Sequence, residues 1–147
     1  FPSGVAALCA TVDGTRVGMV ATSFSAGVSY DPPMVMFSVQ ESSTTWPVLA
    51  TAPRIGISIL SASQADACMQ LASRSRDRFA GLDITETAGG AVLLGDAVMW
   101  MECEIVSVTP AGDHRVVILQ VHGVDVAQEQ APLVYHERRF HALSAIA

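Results

Sequence analysis

Between Ala97 and Thr109 the chain alternates: Met99, Met101, Cys103 and Ile105 take every second position, with Glu102 and Glu104 among the residues between them. A period of two places the first set on one face of a strand and the two carboxylates on the other, toward solvent or a polar interface. Gly112-Asp113 then supplies a turn, and Arg115 to Val126 returns antiparallel. The remaining apolar runs are also strand-like. Val5 to Thr11 is short and is followed by Asp13-Gly14, a strong hairpin signal, with Val17 to Ser23 as the returning strand. Asp31-Pro32-Pro33 breaks regular pairing, because neither proline can donate to a ladder. Met34 to Val39, Ile55 to Leu60 and the short Leu133 to Tyr135 complete the set.

Two short helices fit between these strands. The first starts near Ser43 or Thr44, runs through Trp46 to about Ala52 and ends at Pro53; Pro47 falls in its first turn, where the missing N–H has no intrahelical partner. The second opens on a capping box, Ser61 with Gln64, and carries an apolar stripe of Ala65, Cys68, Met69 and Ala72. Many short strands with two helical inserts predict a mainly β fold, a closed or nearly closed barrel. A length of 147 residues with no linker or repeat suits one domain over the whole chain.

Composition narrows the function. Half of the residues are apolar and 15% are charged, which predicts an unusually apolar surface, partly covered by a second subunit. The apolar stretches are too short to span a bilayer, so no membrane insertion is expected. Net charge is −6 and every basic residue outside histidine is Arg. An acidic chain repels nucleic acid, and the absence of Lys excludes a Schiff-base mechanism. The run Arg74, Arg76, Arg78 is by default a solvated charge cluster. Cys9, Cys68 and Cys103 are isolated in apolar surroundings and read as buried, reduced thiols, with a cytoplasmic setting as the default. No metal site is expected: among His114, His122, His136 and His141, the last two are five apart, which suits neither one helical face nor one strand face. There is no P-loop, no G-x-G-x-x-G and no nucleophile elbow.

Three polar constellations remain. Ala21-Thr22-Ser23-Phe24-Ser25 ends an apolar strand and is either an ordinary Ser/Thr turn or a wall for a planar heterocycle. Ser38 to Thr45, reading SVQESSTT, spans a strand-to-helix junction that either caps the helix or holds a ligand phosphate. Gly112-Asp113-His114 ends a turn on an imidazole, by default a surface residue.

Taken in order, short motifs resemble the flavin reductase-like family, whose members have an FMN-binding split β-barrel. Phe1-Pro2-Ser3-Gly4-Val5 looks like F-P-[ST]-G-V, and Gly18 to Ser25 like G-M-T-A-N-S-F-[ST]. Asp31-Pro32-Pro33, Ser43-Thr44, Asp77-Arg78-Phe79-Ala80-Gly81, Gly112-Asp113-His114 and Pro132-Leu133-Val134-Tyr135 match its D-P-P, S-x-T, D-R-F-x-G, G-D-H and P-L-V-Y segments. The resemblance implies an NAD(P)H-dependent reductase that reduces FMN or FAD with NADH or NADPH and supplies reduced flavin to a partner flavin-dependent monooxygenase. It also implies a homodimer. Ala21, Thr22, Ser23 and Phe24, with Ser38, Val39 and Gln40, would line the isoalloxazine and ribityl chain. Ser43, Thr44 and Thr45 would hold the phosphate. Arg78 and Phe79 would lie near the flavin or the dimer contact, His114 would face the nicotinamide, and Tyr135 and Phe140 would close the pocket. Thr22 departs from the family's Asn, and the segment HERRF from its commoner G-x-Y. The rival expectations are an electron carrier with tightly held FMN, and a non-catalytic barrel for some other small apolar ligand.

Overall fold

A computed structural model describes residues 1–147. In chain order its elements are β1 (Ser3–Gly4), β2 (Ala6–Val12), β3 (Thr15–Ala21), β4 (Ser25–Tyr30), β5 (Pro33–Gln40), α1 (Trp46–Leu49), β6 (Ile55–Ile59), α2 (Ala65–Leu71), β7 (Ile84–Glu86), β8 (Val92–Leu94), β9 (Met99–Ala111), β10 (His114–Val126), β11 (Leu133–His136) and β12 (Arg139–Ala142). Seven strands form one antiparallel sheet in the order β3-β2-β6-β9-β10-β5-β4, while β1-β11-β12 and β7-β8 form two smaller sheets. The large sheet does not close, so the barrel is split, with the mainly β character the alternation predicts.

The β9–β10 ribbon is its spine. It pairs along its whole length from Ala111–His114 to Met99–Val126, with bulges at Val106 and at His122. β6 covers β9 only from Met99 to Cys103, and β5 covers β10 only from His114 to Gln120. The other half of each strand therefore has no neighbour on its outer side. Inside, Met101 and Cys103 are buried, with Glu104 exposed on the other face, as period two requires.

β2 explains its own composition. Ala6, Leu8 and Ala10 face the barrel core, with Phe37, Ile55, Ile57 and Leu119. Val5, Ala7 and Cys9 belong to a second core with Leu60, Leu71, Val92, Leu94 and Leu133. A strand buried on both faces must be apolar throughout. Each fully buried Leu or Ile contributes about 1.5–3 kcal/mol of transfer free energy. Gly56 is required by the same layering, since a Cβ there would press into the Val92 carbonyl of β8.

The local outcome differs from the sequence expectation at several points. Asp31-Pro32 is not a gap between elements but the two-residue turn joining β4 to β5, with Tyr30 opposite Pro33. Pro33 opens β5, where a strand tolerates proline. β4 was not expected; its mixed Ser-Ala-Gly-Val-Ser-Tyr sequence shows no alternation. α1 starts later and ends earlier than its sequence suggests, because Ser43 to Thr45 stay outside it as a loop. The Ser61–Gln64 capping box is present, but it opens a 3-10 turn that leads into α2. Leu71, not Met69 or Ala72, joins Cys68 on the buried side of α2, and both replaced residues are exposed. The β7–β8 hairpin and β12 are too short to show a period. Through the β11–β12 hairpin, His136 and His141 come to one face with ring centroids 5.8 Å apart, which the linear spacing of five had argued against.

Candidate functional site

The open edge of the large sheet creates the site. β3 comes up against β5 but does not pair with it; instead, the Ser23 hydroxyl accepts from the Ser38 N–H at 2.9 Å and donates to the Ser38 carbonyl at 3.0 Å. One side chain thus stands in for a ladder partner across the split. Beside this seam runs a groove of about 580 Å³, within the ordinary range for small-ligand sites. Its walls come from the ends of β3 and β5, the loop after β5, the end of α2 with the loop that follows it, and the start of β10.

Eleven of the expected residues meet there: Ala21, Thr22, Ser23, Ser38, Val39, Gln40, Ser43, Thr44, Thr45, Arg78 and His114. Tertiary structure adds Met19, Val20, Ser42, Leu71, Ala72 and Arg74, which sequence reasoning passed over. Leu71 and Ala72 belong to a helix whose face was misjudged, and Arg74 to a run taken as solvated.

Four expected residues do not line the groove. Phe24 packs against the barrel core. Phe79 belongs to the second core, where its ring covers Gly18 so closely that a Cβ there would lie 2.7 Å from the ring and 2.8 Å from Cys9 Sγ. Tyr135 and Phe140 pack on each other at 5.7 Å against that same core.

The loop hydroxyls are set up as donors. Ser43 Oγ accepts from the Trp46 N–H at 3.1 Å, and Thr45 Oγ1 accepts from Arg78 Nη1 at 3.0 Å. Each acceptor role leaves the hydroxyl hydrogen available to a ligand. Ser23 is the opposite case, because its hydrogen is committed to Ser38.

Arg78 is a strut rather than a solvated charge. Its Nη1 also donates to the Gly18 carbonyl at 2.7 Å, and its Nε to the Ser73 carbonyl at 2.8 Å. It thereby ties β3, the loop after β5 and the loop after α2 together. Across the groove, His114 Nδ1 lies 2.7 Å from Asp113 Oδ1. The hydrogen bond from His114 holds the Asp113 carboxyl below its usual range. An ionised carboxylate can only accept, so Nδ1 carries the hydrogen that joins the two side chains, and Nε2 is the ring nitrogen left for a ligand. Arg115 Nε holds Glu41 at 2.8 Å, and the Glu41 N–H donates to the Asp113 carbonyl at 2.9 Å, fixing the loop to the β9–β10 turn.

The electrostatic result is simple. Arg74, Arg78 and His114 line the groove, and no carboxylate does. In a chain of net charge −6 this is a local exception, and it suits an anionic ligand with polar oxygens along one wall.

Residues 1–144 match the family model described as "Flavin reductase like domain". A flavin reductase of Pseudomonas putida is 35% identical over 147 residues, covering 99% of this chain and 86% of that protein. The reductase subunit of a flavin-dependent monooxygenase from Rhodococcus jostii is 30% identical, covering 95% and 71%. Among solved structures, an NADH:FAD oxidoreductase of Streptomyces globisporus in complex with NAD and FAD fragments superimposes with a TM-score of 0.92 at 28% identity, covering 100% of this chain and 88% of that one.

Proposed function

The chain belongs to the flavin reductase-like family, and we propose that the groove at the β3–β5 seam is where this enzyme binds its flavin. The protein is an NAD(P)H-dependent flavin reductase that supplies reduced flavin to a monooxygenase. The observation that carries the placement is the groove's lining: two guanidiniums, an imidazole, a cluster of hydroxyls and no carboxylate.

With both nucleotides bound, hydride transfer from the nicotinamide to the flavin would be chemistry that the nucleotides themselves supply. The protein's part is to hold both in reach of each other. Ser43, Thr44 and Thr45 donate hydroxyl hydrogens to the phosphate. Ala21, Thr22, Val39 and Gln40 line the wall along which the flavin lies. Ser23 and Ser38 set the width of that wall through their mutual bonds, not through a free hydroxyl. Arg78 fixes Thr45 and adds positive charge. His114 presents Nε2 on the nicotinamide side, where it hydrogen-bonds the carboxamide. No acid–base pair is needed for hydride transfer.

The assembly is read as a homodimer. Val106, Val108, Val124 and Val126 are exposed on the parts of β9 and β10 that lack a neighbouring strand. Such a face is suited to a second copy. Tyr135 and Phe140, which do not reach the groove of their own chain, would serve the partner's. No helix is long and apolar enough to cross a membrane, and the working setting is taken as the cytoplasm.

Two measurements test the reading. Oxidation of NADH and NADPH is followed with FMN, FAD and riboflavin in turn, for the protein and for Ala72→Trp. Ala72 is exposed on the groove wall, so the variant folds and fills the groove. Loss of flavin reduction in the folded variant supports the placement; unchanged kinetics with every flavin would move the site elsewhere.

A further inference from the structure

Between α2 and β7 the chain forms neither helix nor strand from 72 to 83. Only one backbone hydrogen bond joins two residues of this segment, from the Leu82 N–H to the Phe79 carbonyl at 3.1 Å. Two contacts that shape the groove nonetheless start here. Arg78 reaches across to the Gly18 carbonyl and to Thr45, and Phe79 packs into the second core over Gly18. The backbone beneath both is held by the side chain of Gln70, in the last turn of α2. Its Nε2 donates to the Asp77 carbonyl at 2.9 Å and to the Ala80 carbonyl at 2.8 Å. An amide nitrogen carries two hydrogens. Both are engaged, one on the residue before Arg78 and one on the residue after Phe79. No backbone N–H reaches either carbonyl. Gln70 is half-buried and does not line the groove, although Leu71 and Ala72 beside it do.

We propose that Gln70 is a positioning residue for flavin binding, clamping the 77–80 backbone so that Arg78 can brace Thr45 and β3. The inference rests on the groove being the flavin site. An arginine side chain has many rotamers, so it acts as a strut only when its own backbone is fixed. With the clamp gone, water satisfies the two freed carbonyls and the fold loses little. The strut, however, loses its fixed origin. Thr45 then loses the donor that leaves its hydroxyl hydrogen to the ligand, and small misplacements of binding groups weaken binding out of proportion to their effect on stability. Gln70 touches no ligand position itself, so its whole influence runs through Arg78.

The test follows steady-state kinetics and melting curves for the wild type, Gln70→Met, Gln70→Lys, Arg78→Met and the double variant Gln70→Met with Arg78→Met. Met keeps the length of the side chain without a donor, and Lys brings N–H donors back. Gln70→Met is expected to raise KM for FMN and FAD about fivefold, the scale of one ordinary hydrogen bond. Its kcat and its KM for NAD(P)H should stay near wild type, and Lys should recover most of the flavin KM. The double variant should bind flavin no worse than Arg78→Met alone, because both changes disable one strut. Gln70→Ala, a good helix former, reports the same loss should the Met variant not fold. An unchanged flavin KM in the folded donorless variant overturns the assignment. So does an equal rise in KM for flavin and nicotinamide, or a full multiplication of effects in the double variant. Ala72→Trp separates this failure from failure of the site. If blocking the groove abolishes flavin reduction while flavin KM ignores Gln70, the groove stands and only this inference falls.

Discussion

Ser23 and Ser38 hold the split of the barrel together: one hydroxyl satisfies both the N–H and the carbonyl of a residue fifteen positions away. Removing it leaves two backbone groups without a protein partner at the edge of the groove. Ser23→Ala is expected to cost about 1 kcal/mol, because water can reach the freed groups, and to lower Tm by roughly 2–4 °C for a chain of this size. KM for flavin should rise several-fold, and Ser23→Thr should restore both properties. Melting curves beside steady-state kinetics decide this; a Ser23→Ala protein with wild-type Tm and KM would show that the seam needs no staple.

Thr44 stands between two hydroxyls already oriented by the chain, and its own side chain is exposed on the groove wall. Replacing it by Ala should weaken binding of FMN and FAD by about 1–2 kcal/mol, the scale of a hydrogen bond to a charged group. The fold should be untouched, since Thr44 has no buried contact to lose. Flavin titration checks this, and affinities for FMN and FAD both unchanged from the wild type would place the phosphate elsewhere.

His114 should matter to the nicotinamide nucleotide and not to the flavin. With Nδ1 bound to Asp113, only Nε2 is left to serve a ligand. His114→Ala is expected to lower kcat/KM for NAD(P)H roughly five- to thirty-fold, the equivalent of about 1–2 kcal/mol, chiefly by raising KM. If the imidazole serves only the turn, Tm falls and the kinetics stay put. That second pattern would remove His114 from the site.

Burial pushes the Cys9 and Cys103 thiols up to about 12, for Cys103 with help from the Glu102 charge. The fold therefore favours the neutral thiol. In the unfolded chain these groups ionise near 9.0, so their contribution is fully present below that pH and is lost as pH rises toward 12. The loss is at most about 1.4 kcal/mol per pH unit for each thiol. Urea unfolding between pH 8 and 11 should show a steeper decline for the wild type than for Cys9→Ala. Parallel declines would mean that the Cys9 thiol stays protonated in both states or is not sealed from solvent.

Light scattering at micromolar concentration should give about twice the chain mass of 15.4 kDa. Val108→Glu and Val124→Glu, placed on the strand halves without neighbours, should shift the protein toward monomer. A wild-type monomer would end the idea that a second subunit completes the pocket.

Much of this molecule was legible before any coordinates. The β9–β10 ribbon follows from its period of two, and β2 from a run that stays apolar on both faces. The groove residues carried by motifs, Ala21 to Ser23, Ser38 to Gln40, Ser43 to Thr45 and His114, could be named in advance because each lies in a segment that resembles the family, at the end of an element where the chain must turn. What the sequence left open is of another kind. Whether Arg78 is solvated depends on the Gly18 carbonyl, sixty positions away. The resemblance sets Phe24, Phe79, Tyr135 and Phe140 around the flavin pocket, yet in the chain they pack against the protein's own cores. Local pattern determines which residues can form a strand or cap a helix, since those forces act within a few positions. Which side chains face a ligand is decided only when distant segments close on one another and leave some groups without partners.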